Sequence, residues 1–203
     1  VSDSANYTEK PLLAETLKAD AEKKTLSANI VLRVLRDLNA DKISEAAIGG
    51  LINTMEESTS ANIIFTNQFS KPLKVSSSSH TGLFCNTMKS GASLTARLIK
   101  EAGNVSVEAT ASEANAGGFV GYMTSDNSLT VAGSSVDQVI SASGNAGGLA
   151  GSVTDGSISV QAGESGTDAG AFIFGESLTL KAGSEKAAGG LIGEYAVTKS
   201  VAG

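Results

Sequence analysis

One five-residue phrase returns along this chain and limits what it can fold into: Gly117-Gly118-Phe119-Val120-Gly121, Gly147-Gly148-Leu149-Ala150-Gly151 and Gly189-Gly190-Leu191-Ile192-Gly193. Worn copies stand at Gly49-Gly50-Leu51-Ile52-Asn53, at Gly82-Leu83-Phe84-Cys85 and at Gly170-Ala171-Phe172-Ile173-Phe174. With Gly50, Gly82, Gly118, Gly148, Ala171 and Gly190 taken as equivalent anchors, the spacings are 32, 36, 30, 23 and 19 residues. Self-similarity on this scale marks a repeat architecture, in which one unit cannot bury its own apolar face and stacked copies can.

The segments between anchors read as short strands. Ser128-Leu129-Thr130-Val131-Ala132, Ser157-Ile158-Ser159-Val160-Gln161 and Ser177-Leu178-Thr179-Leu180-Lys181 share one alternating pattern, and Ser200-Val201-Ala202-Gly203 looks like its beginning. A small-Asn-apolar-x-apolar pattern recurs at Ala28–Leu32, Ala61–Phe65 and Gly103–Val107. Period-two alternation places Leu149, Gly151 and Val153 on one face and Ile158 and Val160 on the inner face of the next strand, with Asp155-Gly156 turning between them. The paired glycines suit a corner that needs positive φ or close backbone approach. Gly121, Gly151 and Gly193 would leave room for a bulky neighbour. The chain is 41% hydrophobic but only 4% aromatic, without Trp, so its core must be built from aliphatic side chains.

These patterns predict an all-β chain, a β-solenoid (parallel β-helix) of about five to six irregular coils, stacked about 4.8 Å apart. The competing arrangement is antiparallel, a sandwich or meander, for which Val153–Ile158 would be a hairpin. Residues 1–24 form an N-terminal segment. Within it Thr8, Pro11 and the spacing of Leu12, Leu13, Leu17 and Ala21 predict a short helix over 9–24 that caps one end. Residues 25–203 are the repeats, degenerate over 25–115 and clean over 116–203. Both ends of the sequence fall in mid-phrase, which predicts further repeats in the natural protein.

The phrase Gly-Gly-Leu-hydrophobic-Gly resembles the GLUG motif of bacterial cell-surface proteins, found in adhesin-like proteins and in stalks of some immunoglobulin A peptidases. The match is good at Gly117–Gly121, Gly147–Gly151 and Gly189–Gly193 and degenerate elsewhere. The resemblance implies a secreted or surface-attached solenoid with a structural or adhesive role, and it carries no catalytic residues. The His-Glu-x-x-His signature of the peptidases does not occur in the sequence.

The chain has one histidine, His80, and one cysteine, Cys85, too few for an ordinary structural zinc site. His80 follows four serines in what reads as a polar loop, and Cys85 reads as a small buried residue. Asp126 and Asp155 follow their anchors by 8 and 7 residues and could stack on adjacent coils as calcium ligands or as a sugar-cleaving pair. The competing reading is ordinary turn chemistry. No phosphate-binding loop or dinucleotide fingerprint is evident, and no cofactor is expected. Thr130, Ser159 and Thr179 share an outward place and form one column.

Charge divides the chain. Residues 1–100 carry 12 Lys/Arg and 10 Asp/Glu, and residues 101–203 carry 3 and 11. That balance argues against nucleic acid. No stretch is apolar and long enough for a transmembrane helix. The expected function is a structural or adhesive module of a secreted or cell-surface protein. Its expected partners are a host glycan, a host protein or other segments of the same surface protein. The alternatives are a carbohydrate-active β-helix enzyme or a calcium-rigidified spacer.

Overall fold

The computed structural model describes residues 13–18, 25–32, 46–67, 72–100, 104–132, 135–136, 138–161, 173–174 and 178–198. They form strands β1 to β22, numbered in chain order, and every pairing among them is parallel. The antiparallel alternative is thereby overturned.

Four sheets form the walls. The first holds β1 (Ala14–Leu17), β4 (Ile52–Met55), β8 (Cys85–Met88), β12 (Val120–Met123), β17 (Ala150–Thr154) and β22 (Ile192–Ala196). The second holds β2 (Thr25–Leu32), β5 (Ser60–Asn67), β9 (Ser93–Lys100), β13 (Ser128–Ala132) and β18 (Ser157–Gln161). The third holds β3 (Ala46–Ile48), β6 (Leu73–Ser77), β10 (Val105–Ala109), β15 (Gln138–Ala142) and β20 (Thr179–Lys181). The fourth holds the two-residue strands β7 (Thr81–Gly82), β11 (Ala116–Gly117), β16 (Ala146–Gly147) and β21 (Ala188–Gly189). The chain visits the walls in this order and returns to the first, so the molecule is a β-solenoid. A separate pair, β14 (Ser135–Val136) with β19 (Ile173–Phe174), lies between second and third walls in chain order.

The core is a set of apolar columns running along the stack. One is Leu51, Phe84, Phe119 and Leu149, all fully buried at the corner entering the first wall. Met55, Met88, Met123 and Val153 form the next, four residues on in each coil. Phe84 and Phe119 stack with centroids 5.0 Å apart at 9°, and Phe65 meets Phe84 edge-on at 6.5 Å. Each rib is sheltered by the ribs on neighbouring coils rather than by its own.

Several expectations are corrected by the register. Residues 14–17 of the expected helix are strand β1, with Ala14 opposite Ile52 and Leu17 opposite Met55; residues 9–12 and 19–24 lie outside the described set. Helix propensity is a weak prior, and pairing with the edge of β4 outweighs it. The Leu13–Leu17 spacing repeats Leu51–Met55, one corner rib followed by one wall rib. Gly82 pairs with Gly117 rather than standing opposite Gly118, so Cys85 aligns with Val120 and Asn86 takes the place of Gly121.

The worn copy around Ala171 is no copy. Ile173-Phe174 pairs with Ser135-Val136 off the first wall, and Ala171 lies outside the described residues. The coil between the Gly148 and Gly190 anchors is therefore 42 residues long. Thr179–Lys181 and Val105–Val107 of these phrases fall on the third wall, away from the second-wall strands they resemble. Short alternating phrases look alike on every wall, because all walls share the same period and the same aliphatic interior.

Candidate functional site

The corner between fourth and first walls carries the recurring phrase, and its three glycines answer to three different constraints. A Cβ on the first, Gly117 or Gly147, would collide with the carbonyl of Val120 or Ala150 in its own corner. A Cβ on the second, Gly118, would collide with the Gly148 carbonyl on the next coil and with Gln138. A Cβ on the third, Gly151, would sit 2.7 Å from the Gly121 carbonyl and 2.8 Å from Ala116 on the preceding coil. The expected bulky neighbour is thus backbone. Among the repeat's described glycines only Gly50 has a positive φ, 89°, and close approach accounts for Gly82, Gly117, Gly118, Gly121, Gly147, Gly151, Gly189 and Gly193. At the worn copy Asn86 replaces the third glycine: its Oδ1 accepts from the Gly82 N–H of its own corner at 3.1 Å, and its Nδ2 donates to the Gly49 carbonyl on the preceding coil at 3.0 Å.

One residue before each fourth-wall strand runs a second column. The Asn115 N–H donates to His80 Nδ1 at 3.0 Å, the Asn145 N–H to Asn115 Oδ1 at 2.8 Å, and the Ala187 N–H to Asn145 Oδ1 at 2.9 Å. Each side chain thereby satisfies a backbone donor on the following coil. His80 heads this ladder. It packs against Tyr122, ring centroids 4.9 Å apart, and burial pushes its pKa down. Because Nδ1 accepts, the neutral ring carries its proton on Nε2. Sequence reasoning missed Asn115 and Asn145, although the preceding Asn in Asn115-Ala116-Gly117-Gly118 and Asn145-Ala146-Gly147-Gly148 is itself a repeated signal.

Asp126 and Asp155 do stack on consecutive coils. Both turn through left-handed backbone, φ 59° and 48°, and the Asp126 N–H donates to the Asp155 carbonyl at 3.2 Å. The same turn holds Ser58 at φ 57° and Gly91 at φ 70°. The Asp155 carboxylate accepts from the Thr198 N–H at 2.8 Å and from the Thr198 hydroxyl. These bonds run from coil to coil. Among the described residues no three His, Cys, Asp or Glu side chains gather as metal ligands would. Cys85 is fully buried, and burial pushes its thiol up to about 12.

No family model, curated protein or solved structure matches this chain. Its own surface must therefore supply the functional argument.

The most regular surface is the outer face of the second wall. The register stacks Thr25, Ser60, Ser93, Ser128 and Ser157 in one column, and Asn62, Thr95, Thr130 and Ser159 in a second. Two columns therefore stand where the sequence predicted one, and Thr179 belongs to neither because β20 lies on the third wall. The columns are about 6.7 Å apart along the strands and their members about 4.8 Å apart along the stack. Ser60 and Ser93 hydroxyls bond to each other at 2.8 Å. The two columns present hydroxyls and one amide, with no charged side chain in either.

Proposed function

We propose that this chain is a structural and adhesive repeat module of a secreted or surface-attached bacterial protein, with GLUG-like corners, and that it works without catalysis. The observation that carries the reading is the pair of in-register hydroxyl columns on the second wall. A core built of stacked ribs fixes these groups at constant spacing, and preorganised polar groups bind without losing side-chain freedom on contact. Hydroxyl and amide arrays suit hydrogen bonding to a glycan or to the polar backbone of a protein partner. The six strands of the first wall support a count of five to six coils, and β1, paired in that wall, carries the repeat back into the 1–24 segment.

The test is binding of the 203-residue chain to an array of surface glycans and matrix proteins. Thr95→Arg together with Thr130→Arg should abolish any binding while leaving the melting temperature unchanged, since both side chains face outward. Binding that survives this double variant removes the second wall from the reading. Cleavage of any array glycan replaces the reading with the carbohydrate-active one.

A further inference from the structure

We infer that the second wall holds a neutral, extended polysaccharide laid along the stack, one sugar ring to each coil, in contact with both hydroxyl columns. The inference rests on the adhesive reading and narrows it to one ligand class and one orientation. The columns stand on the outer face, because the side chains that alternate with them, Ala61, Ile63, Leu94, Ala96, Leu129 and Val131, are buried in the core. Asn62, Thr95, Ser157 and Ser159 are exposed, and Ser60, Ser93, Ser128 and Thr130 are half-buried.

This face is uniformly polar in one direction only. Along the stack a ligand meets a hydroxyl or an amide on coil after coil. Across the strands that run stops after two positions, since the next outward place holds Ile64 and Arg97 on one pair of strands and Ala132 and Gln161 on another. A chain molecule that gains a hydrogen bond at every step therefore lies along the columns. Coils repeat about every 4.8 Å, and a pyranose ring with its glycosidic bond advances an extended β-linked chain by close to the same length. The columns stand about 6.7 Å apart, so the two edges of such a ribbon reach one column each. Serine and threonine hydroxyls both donate and accept, which matches them to sugar hydroxyls. Charge selects a neutral chain. Neither column carries an ion, and the face is flanked by the Asp126 and Asp155 turns on one side and Arg97 on the other. A polyanion finds no basic track there, and a neutral glycan surrenders no ion hydration on contact. Neither column carries an aromatic ring, so each sugar is held by hydrogen bonds without stacking, and strength comes from the number of coils engaged.

The experiment is calorimetric titration of the 203-residue chain with β-1,4-linked oligomers of glucose and of N-acetylglucosamine, from two rings to eight, beside galacturonate oligomers of the same lengths. Each added ring is worth the net of about one hydrogen bond, so affinity should rise roughly two- to tenfold per ring. The gain should stop at four or five rings, the number of coils in the two columns. Galacturonate should bind on the order of tenfold more weakly or not at all. Thr95→Arg blocks the middle of the face and should remove the dependence on length, with the melting temperature unchanged. Ser159→Arg, at the end of its column, should remove only the last increment. Affinity that does not rise with length, galacturonate that binds as tightly as the neutral oligomers, or two variants that behave alike overturns the inference. Capture of a protein through this wall with no neutral oligomer bound overturns it too, while the adhesive reading stands. That reading falls instead when binding survives in the Thr95→Arg and Thr130→Arg double variant.

Discussion

Gly147-Gly148-Leu149-Ala150-Gly151 and Gly189-Gly190-Leu191-Ile192-Gly193 read almost alike, yet they live in different surroundings. Leu149 is sealed between Phe119 and Leu191, whereas Leu191 has a neighbour on one side alone among the described residues. Around the second glycine the difference is sharper. A Cβ at Gly118 would strike the next coil, and a Cβ at Gly190 would meet nothing within 4 Å. The phrase is therefore not a self-contained motif. Part of its meaning, the first glycine, is local to one corner, and the rest is written by the coils on either side.

That contrast can be broken or sharpened by experiment. Leu149→Ala should cost about 2–5 kcal/mol in chemical denaturation, and Leu191→Ala a fraction of that; equal losses would mean that the two environments do not differ. Gly118→Ala should cost roughly 1–3 kcal/mol through overpacking. Asn145→Ala strips a partner from the Ala187 N–H and should lower stability by about 1–3 kcal/mol. Loss confined to the coil after Asn145, seen as faster amide exchange there, would show that the ladder acts coil to coil. Gly190→Ala should move stability by less than about 0.5 kcal/mol, with Gly189→Ala as the costly counterpart, because its Cβ would strike Ile192 in its own corner.

His80 gives the smallest effect and a signed one. Its pKa is lowered in the fold, so the unfolded chain binds the extra proton first. The ladder's contribution is whole above the ordinary histidine value of about 6.5 and is lost as pH falls below it. His80→Asn puts an oxygen acceptor at the head of the ladder and should flatten the melting temperature across that window. The chain has no other histidine to obscure the result.

How much of this was legible in the sequence depended on length scale. The glycine phrase located the corners that lead into β4, β8, β12, β17 and β22, and parallel stacking followed from it. Spacings of 23 and 19 residues misled because Gly170–Phe174 shares the composition of the phrase, whereas Ile173-Phe174 pairs with β14 off the first wall. Leu13 and Leu17 were read as a helical stripe, since a separation of four serves a helix and this corner equally well. Phe84/Met88 and Phe119/Met123 repeat that separation and could have distinguished the two. The second hydroxyl column was hidden because Thr25, Ser60 and Ser93 align only once the degenerate coils are in register. The ladder through Asn115 and Asn145 was visible as a repeated letter but not as a bond, because its partner is a backbone group a full coil away.

The long excursion between Gln161 and Thr179 carries a practical consequence. The crossing from second to third wall takes four residues between Lys100 and Val105, thirteen between Leu32 and Ala46, and seventeen here, β19 among them. Even so, β15 and β20 still pair Ile140 with Leu180. Closing a longer loop adds little entropic cost, so this junction should serve as a port where foreign peptide can be spliced in and displayed from the shaft.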